Sequence, residues 1–402
     1  MHDPQARFAW LVERARQRPH LPDALRLDRH RVSGCQVRLW WVAEVRNGRC
    51  EFQSDSDAVT LRAMAGLWCD LASGASPEEL AAWRPDLFER FGLLRSLADN
   101  RRTTVLRIGE LIREFARSHC GIAGLTDAHN HLQDSRFGGY QDAVVSAALA
   151  AGVSRMVVNG SCESDWPEVA ELARRFPAVV PAFGLHPWSL AERTPGWETS
   201  LNSWLDRTPV AVIGEIGLDR WIHENPDRWR ALSGVAGDPP PMEEQESLFL
   251  SQLQIAAERG ISASIHCLRA FGRLLELLAN HPRPERGFLL HSYGGPTELV
   301  PDFVRLGAYF SFPGYFGHER KARAREVFRA VPQDRLLLET DAPDQLPPEA
   351  WIRHPLRDPA SGAAINHPAN LPAIAEGLAT ILGVPIPELT ALTAANFRRL
   401  FG

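Results

Sequence analysis

From residue 121 onward the chain alternates between short apolar runs and amphipathic stretches. Eight of the runs read as strands: Leu125–His131, Arg155–Asn159, Val179–Leu185, Val210–Ile216, Ile261–His266, Gly287–His291, Ala308–Phe312 and Leu336–Thr340. Helical spacing fits between them, as in Ser247–Glu258 and Phe271–Ala279. Near-continuous apolar runs suit strands buried on both faces. Eight such βα units in sequence predict a closed (β/α)8 barrel. One stretch breaks the rhythm: Trp221–Pro241 ends in three consecutive prolines and reads as a surface insertion.

Residues 1–120 read instead as an α+β unit. Asp3–Arg18 has helical spacing, with Phe8, Leu11, Val12 and Ala15 on one side. Gln36–Val45 alternates, with Val37, Leu39, Trp41, Ala43 and Val45 on one face. Asn47-Gly48 is a tight-turn signal, and Arg49–Ser54 returns as the second strand. Ser76-Pro77-Glu78-Glu79 reads as a capped helix start, and a last helix is expected from about Asp99 to Ser118. A length of 402 residues accommodates two domains, with expected boundaries 1–120 and 121–402.

Composition excludes several classes. Hydrophobic residues make up 45% and charged residues 23%, which rules out a disordered or fibrous chain. No apolar run is long enough to cross a bilayer, and Met1–Trp10 lacks the pattern of a secretory signal, so no membrane is expected and the cytoplasm is the expected location. The six cysteines, at 35, 50, 69, 120, 162 and 267, form no CxxC pair and are expected as thiols. Residues 1–120 hold 19 Arg against 16 Asp plus Glu, a net +3, and the rest of the chain is −8. Neither part has the basic stripe that grips long duplex DNA. A single lysine, Lys321, stands against 43 arginines, which reads as coding bias.

The chemistry-bearing residues collect at strand ends. Asp127-Ala-His129-Asn-His131 ends the first barrel strand, and two His at i and i+2 share a face. Gly214-Glu215 ends the fourth strand, His266 the fifth, His291 the sixth, and Asp341 the eighth. The carboxyl ends of strands form the face on which barrel enzymes keep their sites. Four imidazoles and two carboxylates there suit two divalent ions, with Glu215 as bridge, and a water between such ions becomes a nucleophile at neutral pH. His186, in Gly-Leu-His186-Pro, fits the same rim as a substrate contact or as a structural residue.

The segments DAHNHL, GLHP, GEIGLD, SIHCLRA, HSYGG and ETDAP, followed by Pro368–Pro372 and Asn396-Phe-Arg-Arg-Leu-Phe, occur in the order found in the TatD family of metal-dependent hydrolases, which residues 122–402 resemble. The resemblance implies that His129, His131 and Asp341 hold one ion (Zn, Mn or Mg), that His266 and His291 hold a second, and that Glu215 bridges them. It also implies hydrolysis of a phosphodiester or related ester, as in a deoxyribonuclease, with Asp341 and Glu215 catalytic. Arg269, after the fifth-strand histidine, is then a phosphate contact, or else a helix-start salt bridge. The long segment after Asp219 departs from the family pattern and lies where it can alter substrate access.

Cys35 follows Arg31-Val-Ser-Gly and sits in a loop with Arg29, Arg31 and Arg38 nearby, a setting that favours thiolate. An isolated cysteine is more often core. The wider stretch, with Leu39-Trp-Trp, Asp55-Ser-Asp57-Ala, Leu71-Ala-Ser-Gly and Phe91-Gly-Leu, resembles SufE across residues 5–118. That resemblance implies that Cys35 accepts persulfide sulfur from a cysteine desulfurase docked nearby. Val37 and Thr103-Thr104 depart from the family pattern. Cys50 and Cys69 read as core.

The combined expectation is a SufE-like sulfur-acceptor domain fused to a TatD-like dinuclear hydrolase, acting on a nucleic acid end. The alternatives are a desulfurase adaptor with the barrel as scaffold, and a barrel that hydrolyses a small phosphodiester, acyl or sulfur-containing substrate.

Overall fold

The computed structural model describes residues 4–32, 37–46, 49–83, 88, 92, 94, 97–119 and 124–402. The chain divides into two compact units, residues 1–123 and 124–402.

In the first unit, helix Pro4–Arg16 precedes an antiparallel pair, β1 (Leu39–Arg46) and β2 (Arg49–Ser56). Their register runs from Leu39 opposite Ser56 to Arg46 opposite Arg49. That leaves two residues for the connection, although the Asn47-Gly48 turn itself lies outside the described residues. The alternation has its physical consequence: Leu39 is fully buried, and Val37, Trp41, Ala43 and Val45 pack against the same core. Trp41 stacks on Phe52, and Phe115 from helix Asp99–His119 meets both edge-on. The helix at Pro77–Ala82 has the capped start that its sequence predicts, made of two reciprocal bonds. Ser76 accepts from the Glu79 amide, and the Ser76 amide donates to Glu79. Cys50 and Cys69 are buried, and burial pushes the Cys69 thiol up to about 11.

The second unit is a closed parallel barrel in the order β10-β3-β4-β5-β6-β7-β8-β9. Its strands are β3 (Leu125–Asn130), β4 (Val153–Asn159), β5 (Val179–Phe183), β6 (Val212–Asp219), β7 (Ala263–Leu268), β8 (Phe288–Leu290), β9 (Ala308–Pro313) and β10 (Leu336–Glu339). All eight expected strands are present. The largest departure is β6, which starts at Val212, because Val210 is exposed, and runs on to Asp219 rather than stopping at Ile216.

Strand periodicity explains how one barrel carries both a packed interior and a polar site. Residues two apart share a face. Leu337 is followed on its face by Glu339 and Asp341, Leu289 by His291, and Val157 by Asn159. The amino-terminal positions of these faces, with Val180, Ala182 and Tyr309, form one apolar cluster with Phe397, Leu400 and Phe401 of the last helix, Ile386–Phe401. That helix is held by Asn396, whose amide donates to the Gln333 and Leu336 carbonyls at 2.8 and 2.7 Å. One end of the barrel is therefore filled with hydrocarbon, and the polar positions are left at the other.

The insertion is not a plain surface loop. It forms two short helices, Trp221–Glu224 and Pro226–Ser233, with Ile222 and Trp229 fully buried beneath them. Two large apolar side chains supply the burial that the proline and glycine content had suggested was missing.

Candidate active site

Glu215 lies in β6, 3% exposed, and its two oxygens face different partners. Oε2 stands 3.4 Å from His129 Nε2 and 3.3 Å from His131 Nε2, both on or just after β3. Those two nitrogens are 3.2 Å apart, and Asp341 Oδ1 lies 3.7 and 3.5 Å from them. Oε1 stands 2.8 Å from His291 Nε2, 3.1 Å from His266 Nδ1 and 3.5 Å from His186 Nε2. His266 Nδ1 and His291 Nε2 are 3.2 Å apart.

These spacings match those of donors around a metal ion. Donor atoms about 2.1 Å from one tetrahedral ion stand about 3.4 Å from each other. Both nests show that separation, with imidazole and carboxylate donors of the kind that first-row divalent ions accept. His129, His131 and Glu215 form one such group, and His186, Glu215 and His266 another. Burial supports the same reading, since a cavity floor with this many ionisable groups is costly without compensation. His291 Nδ1 is buried with no hydrogen-bond partner, its nearest acid being Glu339 Oε1 at 3.9 Å.

The other ring nitrogens are held from behind. His129 Nδ1 meets Ser264 Oγ at 2.9 Å, and His131 Nδ1 meets the Asn159 carbonyl at 2.7 Å. His266 Nε2 is 3.4 Å from Asp219 Oδ2, and that oxygen also accepts from Trp188 Nε1 at 2.7 Å. His186 Nδ1 accepts from the Trp188 amide at 3.2 Å, which leaves Nε2 aimed at Glu215. Such partners fix ring orientation and basicity.

Charge sharing follows from the geometry. Burial alone would raise the Glu215 pKa, but His291, His186 and His129 hold it well below the usual carboxylate range. Burial opposes charge on His131 and His266, yet hydrogen bonds to Glu215, and for His266 first to Asp219, bring both up to about 10. Burial keeps His129, His291 and His186 below the ordinary histidine value. Burial pushes Asp341 up to about 7 against the nearby His131, with Asp344 and Glu215 adding to the rise. Glu339 is pushed well above its usual range by burial and by Asp341.

Asp341 is placed by its loop. Its φ is 52°, in the left-handed region that Asp tolerates better than most residues. Its Oδ2 accepts from Gln345 Nε2 at 2.7 Å, and the same amide donates to Ser292 Oγ at 2.6 Å. Ser292 and Ser311 both donate to Glu339. Asp127, also on β3, accepts from Thr340 through both its amide and its hydroxyl, tying the first strand to the last.

The structure thus brings together Glu215, His129, His131, His266, His291, Asp341 and His186. Arg269 stands apart. At φ 58° it turns outward and pairs with Glu224 of the insertion, and it is not among the residues lining the cavity. Cys35 lies outside the described residues. Sequence reasoning passed over Asp219, Glu339 and Gln345. For Asp219 a signal exists, because residues 215, 217 and 219 share one strand face, but the apolar run alone places the strand end at Ile216.

The site opens into a cavity of about 830 Å³. Its lining includes His131, Glu215, Asp341, Trp188 and, from the insertion, Leu232.

Comparison with known proteins agrees with this arrangement. The model of the TatD related DNase family matches residues 126–402, and that of the Fe-S metabolism associated domain, SufE, matches residues 1–116. The 3'-5' ssDNA/RNA exonuclease TatD of Salmonella typhimurium is 34% identical over 272 residues, 67% of this chain and 96% of its own length. The protein of that name from Escherichia coli K12 is 30% identical over 273 residues, 68% of this chain and 96% of its own. A crystal structure of a TatD homologue from Escherichia coli K12 superposes with a TM-score of 0.59 at 26% identity, covering 69% of this chain and 98% of that one. A hydrolase of the TatD family from Entamoeba histolytica shares the fold, with a TM-score of 0.56 at 19% identity over 69% of this chain and 97% of its own. Through its barrel the chain belongs to the TatD family of hydrolases, and it carries a SufE domain ahead of that barrel.

Proposed function

We propose that residues 121–402 hydrolyse phosphodiester bonds at the 3' end of single-stranded nucleic acid, and that residues 1–120 accept sulfur on Cys35 from a cysteine desulfurase. The observation that carries the first part is the bridging position of Glu215, one oxygen to each nest of imidazoles. His129, His131, Glu215 and Asp341 would hold one divalent ion, and Glu215, His266 and His291 a second. When bound, such ions supply an activated water and neutralise charge on phosphorus. Glu215, kept ionised by its imidazole neighbours, fixes the spacing between the nests. Asp341, whose Oδ2 is held by Gln345, is positioned to take the proton of the attacking water. His186 Nε2 is free of its own backbone partner and meets the substrate beside Glu215. The names of the relatives support nucleic acid as substrate, and a strand end asks for few phosphate contacts, in keeping with an acidic barrel.

For the first unit, support comes from the SufE match and from the run Ser33-Gly34-Cys35-Gln36. Among the described residues Cys69, Cys162 and Cys267 are free thiols, which suits a cytoplasmic setting. Among the described residues no single helix is long and apolar enough to cross a membrane.

The test is a 5'-labelled single strand incubated with full-length protein and Mg, Mn or Zn. Stepwise shortening from the 3' end that stops with a chelator is the expected result. An intact strand with every metal, or shortening that persists in Asp341→Asn, would overturn the reading.

A further inference from the structure

The rim of the barrel cavity is cationic at one place, although residues 121–402 are net acidic. Tyr315, Phe316 and Lys321 line the same cavity as Glu215 and Asp341. Lys321 Nζ stands 4.6 Å from the Tyr315 ring centroid and 5.8 Å from that of Phe316. The Arg320 guanidinium lies 5.2 Å from the Tyr315 ring and donates to its hydroxyl at 3.1 Å. Arg228, from the inserted helix Pro226–Ser233, packs 5.7 Å from the Trp221 ring. The Tyr315 hydroxyl is held below its usual pKa by the Arg320 hydrogen bond first, then by the charges of Lys321, Arg320 and Arg228. Lys321 and Arg320 thus crowd one rim tyrosine, and Arg228 stands one turn before the cavity-lining Leu232 on the inserted helix.

Converging cations repel unless something offsets them. Nearby arginines are offset: Arg230 pairs with Asp227 and Asp238, Arg269 with Glu224, and Arg329 with Glu326. Among the described residues no carboxylate lies within 4.0 Å of Arg228, Arg320 or Lys321. The chain's one lysine belongs to this group. Three cations without a carboxylate partner, near a cavity that Glu215 and Asp341 line, are open to an anion from outside.

We propose that Arg228, Arg320 and Lys321 form a subsite for backbone phosphates of a single-stranded nucleic acid whose terminal bond lies at Glu215. This rests on the phosphodiesterase reading above and adds to it a place for the nucleotides that are not being cleaved. The insertion contributes Arg228, so the departure from the family pattern becomes part of substrate binding. Each phosphate neutralised on a single strand contributes a slope of about −0.7 to the dependence of log affinity on log salt. Three contacts thus account for a slope of about −2.

The experiment uses full-length protein and a fluorescent single strand made cleavage-resistant by phosphorothioate linkages, with anisotropy read across a salt series. Replacing all three residues by Glu should weaken binding by about tenfold or more at low salt and reduce the slope by about 2. Arg174→Glu, Arg207→Glu and Arg305→Glu combined, the same charge change elsewhere on the barrel, should leave the slope in place. Because Lys321 is the sole lysine, reductive methylation also reports on one side chain, and the strand should protect it. Wild-type protein that does not bind the strand, a slope equal in the two triple variants, or Lys321 methylated equally fast with and without strand would overturn the subsite. Wild type that binds through these residues yet never shortens an unmodified strand would leave the subsite standing and remove the phosphodiesterase reading. Shortening by wild type, with binding unaltered in the rim variant, would do the reverse.

Discussion

Asp219 shows how a residue outside the donor set can govern it. Its Oδ2 sits between Trp188 Nε1 and His266 Nε2, so the indole fixes the carboxylate and the carboxylate fixes the imidazole. An amide there would present a donor on one side, and the preferred tautomer of His266 would be lost. Asp219→Asn should lower metal affinity or turnover by about 10–100-fold, read by competition with a chromophoric chelator. Unchanged affinity together with unchanged turnover would show that His266 needs no orienting partner. At this scale the sequence was most informative about where His129, His131, Glu215, His266, His291 and Asp341 lie, because each stands in or just after a barrel strand. It was least informative about Glu339 and Gln345, whose places depend on the path of the loop after β10. Arg269 shows the same limit. Its spacing after His266 leaves a phosphate contact and a salt bridge open, and the fold places it beside Glu224.

At the scale of elements, the pairing of β6 with β7 sets the distance between Glu215 and His266. Gly217 lies opposite His266, at φ 147°, and a Cβ there would stand 2.0 Å from the His266 carbonyl oxygen. No side-chain rotation relieves a contact with backbone, so the strands must part. Gly217→Ala should cost about 1–3 kcal/mol in stability, seen as a lower Tm, and should lower turnover more than Asn202→Ala does on the outer helix Trp197–Arg207. A variant with unaltered Tm and turnover would mean that this close approach is not needed. Element identity was readable wherever the apolar period was long, as in the eight strands. It failed at Trp221–Pro241, where proline and glycine masked two helices that Ile222 and Trp229 anchor. The end of β6 was misplaced because Gly214 and Gly217 interrupt its apolar run, and that single boundary concealed Asp219.

At the scale of the whole molecule, a SufE domain is joined to a TatD-family barrel, and each carries its own proposed chemistry. Incubation with a cysteine desulfurase and cysteine should add the mass of sulfur to Cys35, followed by mass spectrometry, with none on buried Cys50 or Cys69. Absence of the gain in wild type, or its persistence in Cys35→Ser, would contradict sulfur acceptance. The change of periodicity near residue 121 marks the two units, and the cavity rim is not legible in the same way, because only the fold brings the inserted helix that carries Arg228 and the segment that carries Lys321 to one cavity. The central claim is that Glu215 joins two ion sites into one hydrolytic centre, and metal stoichiometry tests it most directly. After loading and dialysis, wild-type protein should hold close to two divalent ions per chain. Glu215→Ala should hold fewer, with turnover down by about 10³-fold or more. Wild-type protein that retains no ion, or a Glu215→Ala variant that keeps both ions and its turnover, would contradict the account.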